Sequence, residues 1–142
     1  CGGRRLDLTG INRSSNITIL LYSFHRAMIE EVEFVPMVEK EIRGWPASAI
    51  KALEKACDRL KKYTLEELTK PRYILRLKGH HDLLEIRNPH GGVSYRVLFT
   101  IIDKTCWLLR AFKKKTEETP LNEIAVAAQR AKAVREGLSN DK

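Results

Sequence analysis

Long hydrophobic runs are missing from this sequence. The longest mostly apolar stretch, Ile17 to Phe24, has eight residues and includes Tyr22 and Ser23. A helix needs about 20 apolar residues to cross a bilayer, so no membrane partner is expected. The same stretch is followed by no small-residue cleavage site of the kind a secretory signal carries. Cysteine is scarce as well: Cys1, Cys57 and Cys106 are odd in number and far apart, which suits neither a disulfide framework nor a zinc site. Cys57 falls in a helical pattern and Cys106 in an apolar strand pattern, where a thiol packs as a small hydrophobe. The expected compartment is therefore a reducing one, the cytoplasm. Internal repeats and low-complexity tracts are also absent.

What is present is the composition of one ordinary folded domain: 142 residues, 43% hydrophobic and 31% charged, with a formal net charge of +8. The positive charge is unevenly spread. Residues 28–71 hold eight basic and nine acidic side chains, whereas residues 72–115 hold ten basic ones against Asp82, Glu85 and Asp103. A concentrated basic stretch attracts polyanions, and phosphate backbones are the usual target. A solvated basic face without a partner is the bland alternative.

Residues 1–27 scatter Gly, Ser and Asn among a few apolar residues without a sustained period. They are expected to be a poorly ordered extension, or to precede the authentic start at Met28. Residues 28–137 are expected to be the folded domain and 138–142 a tail. Glu31 to Val35 alternates as a strand. Pro36 then opens a helix that Gly44 stops, and a second amphipathic helix follows, with Ser48 a possible cap and Ile50, Leu53, Ala56, Cys57 and Leu60 at helical spacing. After a polar connection over residues 64–72, three strands are expected at Asp82–Arg87, Val93–Ile102 and Cys106–Phe112. The Asn88-to-Gly92 cluster turns the first pair and Asp103-Lys104 the second. Thr119 and Pro120 open a last helix that Gly137 closes. The expected class is α+β, in the order β-α-α-β-β-β-α, with an N-terminal strand and helical hairpin before an antiparallel meander.

Period two puts Glu85 and Arg87 on one face of their strand, and Arg96 apart from Tyr95 and Val97 in the next. In the third, Arg110, Phe112 and Lys114 alternate with Leu109, Ala111 and Lys113. Each of three consecutive strands thus carries an arginine in an apolar setting. A lone buried guanidinium is costly, so these must pair or face a groove. One reading pairs Glu85 with an arginine and leaves the rest on a solvated face. The other is a basic concave face that grips phosphates, with Tyr95 and Phe112 available to stack on bases.

The segments Leu83-Leu84-Glu85-Ile86-Arg87, Tyr95-Arg96-Val97-Leu98-Phe99, Leu108 to Thr116, and Thr119-Pro120-x-x-Glu123-Ile124-x-x-Ala127 resemble, in order and spacing, the RelE/ParE toxin superfamily and most closely its HigB-like, phage-protein-like branch. That resemblance implies a RelE-like fold and a toxin of a type II toxin–antitoxin system. The activity implied is that of a ribosome-dependent, metal-independent messenger RNA endoribonuclease without a cofactor. The ribose 2′-hydroxyl attacks its own 3′ phosphate in such a reaction, which needs proton transfer and stabilisation of charge on the phosphorane. Arg87 and Arg96 are the candidates for bidentate phosphate contact, and Lys113 and Lys114 for proton transfer. Glu85, Lys78, Tyr95, Arg110, Phe112 and Lys115 are candidates for RNA binding, Glu85 by orienting an arginine. The implied partners are the ribosome, messenger RNA and a helix-turn-helix antitoxin, through which alone DNA is contacted. Two departures stand out: Arg110 takes the place of a small or neutral residue, and no histidine follows the last strand. A gyrase-inhibiting ParE-like toxin and an RNA binder that does not cut are the alternatives.

Overall fold

The computed structural model describes residues 29–80 and 82–140; the expectations for residues 1–27, for Met28 as the start and for His81 lie outside them. The alternating Glu31–Phe34 forms strand β1. Helix α1 spans Pro36–Ile42, with the proline in its first turn where no backbone donor is needed. Helix α2 spans Ala47–Lys62 and buries Ala49, Leu53, Ala56 and Leu60 along one stripe. It is not capped by Ser48, because Pro46 occupies the cap position and the Ser48 hydroxyl lies 3.1 Å from His90 Nε2.

The connection expected to be irregular contains two elements. Helix α3, Leu65–Thr69, is set by a capping box: Thr64 Oγ1 accepts from the Glu67 N–H at 3.1 Å, and the Glu67 carboxylate accepts from the Thr64 N–H at 2.9 Å. Strand β2, Ile74–Arg76, follows. Strands β3 (Leu84–His90), β4 (Val93–Ile102) and β5 (Thr105–Lys114) make the meander. β3 runs through Pro89, and the turn is confined to Gly91-Gly92, both at positive φ. Asp103 and Lys104 also take positive φ, as a two-residue hairpin turn requires. Helix α4, Leu121–Asn140, continues past Gly137. None of these helices is long and apolar enough to cross a membrane.

The sheet order is β1-β5-β4-β3-β2, with β1 parallel to β5 and every other pair antiparallel. The α+β class holds, and the helices cover both faces. The first three pack on Leu84, Ile86, Val97, Phe99, Leu108 and Ala111. α4 packs on Leu98, Leu109 and Phe112 through Ile124, Ala127 and Ala131.

Strict alternation fails once, in β5. Leu98 pairs with Arg110 and Phe99 with Leu108, so the ladder skips Leu109. Such a bulge points two successive side chains to the same side. Leu109 and Arg110 therefore both face α4, where the alternating pattern placed them on opposite faces.

Candidate functional site: a basic groove at the end of the sheet

The turn at Gly91-Gly92 and the exit of β5 bring one end of the sheet together with the segment that leads into α4. Arg87 and Arg96 are directly opposite each other across β3 and β4, and Ser94 is opposite Lys114 across β4 and β5. The pleat puts all four on the face that α4 covers farther along the sheet. Beyond the end of that helix, Arg87, Ser94, Arg96, Lys115, Thr116 and Glu117 line a groove of about 230 Å³, with Pro89, Gly92 and Val93 at its edge. A neighbouring groove of about 300 Å³ is lined by Arg76, Lys78, His80, Glu85, Arg87, Glu117 and Thr119, among others. Arg87 and Glu117 belong to both, so their ion pair is the partition between two halves of one basic channel.

Glu85 anchors the arrangement and has no solvent exposure. Its Oε1 accepts from Arg87 Nη2 at 2.6 Å and from Nε at 3.1 Å, and its Oε2 accepts from the Thr119 hydroxyl at 2.8 Å. A buried carboxylate survives as an anion only with such partners. Thr119 is consumed by this contact and does not cap α4, whose first backbone bonds are accepted by Pro120. The remaining Arg87 nitrogen, Nη1, donates to Glu117 at 2.7 Å. Glu117 is 86% exposed, so this outer half of the guanidinium's coordination is held by a mobile-length side chain in water.

Arg96 departs from expectation. It is 1% exposed. Nη1 donates to the Glu118 carbonyl at 3.1 Å, and Nη2 donates to the Thr116 carbonyl. Burial lowers its pKa, and so does the like charge of Arg87. Its fork is therefore spent on backbone and is not presented to a phosphate in this conformation. What it does is fix the segment that carries Lys115 and Glu117. Arg96 Nε and Ser94 Oγ, buried atoms of two residues that line the groove, make no hydrogen bond within the protein.

Several other expected site residues are placed elsewhere. Lys113 is exposed on the opposite face from Lys114, across from Tyr95, because neighbours in a strand alternate. Tyr95 and Phe112 are each 8% exposed and belong to the two cores, Tyr95 edge-on to Trp45 with ring centres 5.0 Å apart. Neither offers a face for a base to stack on. Arg110 is held by Glu123 at 2.6 Å and Glu41 at 2.5 Å, and the Glu123 bond first, then Glu41, raises its pKa. It joins helices and does not face the groove. Lys78 and Lys115 are exposed and line the channel. Arg76, Ser94, Glu117 and Thr119 line it too and were not expected. Only the pleat parity of Ser94 with Arg96 could have flagged one of them.

A family model described as phage derived protein Gp49-like (DUF891) matches residues 40–132, which include the whole of α2, the meander and the first half of α4. No curated protein matches the chain.

Proposed function

Because the chain belongs to the Gp49-like family of phage-derived proteins, a RelE/HigB-like toxin family, we propose that it stops translation by cutting messenger RNA in the ribosome. One observation carries this reading. Arg87 stands at the centre of a basic channel between Lys78 and Lys115, and among the described residues its outward nitrogen is closed only by the exposed carboxylate of Glu117. A phosphate oxygen has the charge and hydrogen-bonding capacity to take that carboxylate's place.

In the proposed reaction the 2′-hydroxyl gives up its proton and its oxygen forms a bond to the adjacent phosphorus. The bond from phosphorus to the 5′-oxygen breaks, and that oxygen takes up a proton. The products are a 2′,3′-cyclic phosphate and a 5′-hydroxyl. Arg87 stabilises the charge that builds on the phosphorane, and Lys114, on the same face, transfers the proton. Glu85 and Thr119 keep the Arg87 guanidinium oriented, and Arg96 keeps the loop of Lys115 in place. In this reading the working compartment is the cytoplasm, the ribosome supplies part of the affinity, and a helix-turn-helix antitoxin neutralises the protein and contacts DNA.

Inducible expression with primer extension on a reporter messenger RNA tests the proposal. New 5′ ends within codons, lost in Arg87→Ala and reduced at least tenfold in Arg87→Lys, are expected. The engagement of both guanidiniums favours one second reading, an RNA binder that does not cut. Intact messenger RNA without growth arrest would favour that reading, and growth arrest with intact messenger RNA and altered supercoiling would favour gyrase inhibition.

A further inference from the structure

On the far side of the sheet from the channel, an apolar groove of about 350 Å³ lies between β1, α1 and α2. Val32, Phe34, Ile42 and Leu53 are among its lining residues, and Phe34 and nearby Met37 are 50% and 45% exposed. β1 has a partner on one side only among the described residues. The Glu31 N–H donates to the Lys104 carbonyl at 3.4 Å and, just past the strand, the Val35 N–H donates to the Leu108 carbonyl at 3.1 Å, so by alternation Glu31 and Glu33 turn their backbone groups toward β5. Val32 and Phe34 turn theirs outward. The same two residues point their side chains into the groove, which makes this edge a template for an added strand.

Charge selects the occupant. The groove's charged lining is Glu39, Glu54 and Asp58 against Lys61, an acidic rim on a protein whose net charge is +8. Nucleic acid is repelled there. We propose that this edge binds an extended segment of a partner protein, with alternate apolar side chains seated in the groove and lysines or arginines facing Glu39, Glu54 and Asp58. The surface is separate from the basic channel, so the inference does not depend on the activity proposed there.

The test uses the full chain carrying Cys1→Ser. The probe is a fluorescein-labelled eight-residue peptide that alternates valine or isoleucine with lysine or arginine. A control peptide has glutamate in place of each base. Cys57 lines the groove and is half-buried, while Cys106 is buried, so alkylation of Cys57 reports occupancy. The basic peptide is expected to bind and to slow Cys57 alkylation at least fivefold, with new hydrogen-exchange protection at Val32 and Phe34. The acidic peptide is expected to bind at least tenfold more weakly. The double variant Glu54→Lys/Asp58→Lys, checked for its fold by circular dichroism, is expected to reverse that preference. Equal binding of both peptides, an unchanged Cys57 rate, or equal protection of Cys57 by a short RNA would overturn the proposal. So would self-association through β1 in sedimentation that Phe34→Lys abolishes. Reporter cleavage measured with the same double variant keeps failure here distinct from failure of the nuclease reading.

Discussion

At the scale of single residues, a carboxylate with no access to water dictates its surroundings. Glu85 is held by Arg87 and Thr119, and removing Arg87 leaves a buried charge without its main partner. Arg87→Ala is therefore expected to lower stability by about 3 kcal/mol, read as a drop in the urea midpoint, besides abolishing the proposed cleavage. Arg87→Lys keeps a charge but loses the two-point contact with Glu85, so it separates the two effects: stability is largely retained while cleavage falls. Cys57 supplies a pH test. Burial first, then Asp58, push its thiol up to about 11. A raised thiol pKa keeps the folded state protonated where the unfolded chain already ionises. This contribution to stability is thus complete below pH 9 and is lost as pH rises toward 11. Alkylation of Cys57 is expected to accelerate roughly tenfold per unit between pH 8 and 10, as its thiolate fraction grows. A rate that levels off near pH 9 would contradict that.

At the scale of elements, the two hairpin turns decide how the site is assembled. Gly92, at φ +81, and Gly91, at φ +60, reverse the chain in two residues and so leave β3 long enough to carry Arg87 opposite Arg96. Gly92→Ala meets no steric obstacle from neighbours but is strained by its backbone conformation. A loss of about 1 kcal/mol is expected by denaturant titration. The strands, the helical hairpin and both turns were legible locally, from alternation, helical spacing and paired turn residues. α3 and β2 were not: five and three residues are too short for a period to emerge from their polar neighbours. The bulge that skips Leu109 was equally invisible, since nothing in a run of apolar residues marks which one is left unpaired.

At the scale of the whole molecule, Glu41 binds the halves together. From α1 it accepts the Arg110 guanidinium of β5 at 2.5 Å, the Ala111 N–H at 3.0 Å, and Arg130 of α4 at 2.9 Å. Ala111 lies beyond the last residue of β5 that β1 pairs with, so the carboxylate satisfies a backbone donor that the sheet leaves open. Glu41→Gln removes the charge that two arginines share and is expected to cost about 3 kcal/mol. Thermal unfolding should report that loss, with α4 detaching first in hydrogen exchange. Charge is also divided globally, with cations at the Gly91 end of the sheet and carboxylates along the groove beside β1.

The order of elements, the α+β class and the gathering of cations on the meander could be derived from the chain itself, because each depends on residues a few positions apart. Which arginine faces a groove could not. Arg87, Arg96 and Arg110 look alike in their strands, yet one opens to a channel, one is spent on the carbonyls of Thr116 and Glu118, and one is clasped by Glu41 and Glu123. Apart from Glu85, two positions from Arg87, their partners come from 13 to 69 positions away in the chain, the extremes being Glu123 and Glu41 for Arg110. Only the packing of helices on both faces of the sheet brings those acceptors within reach, and a guanidinium's role is set by the acceptors around it.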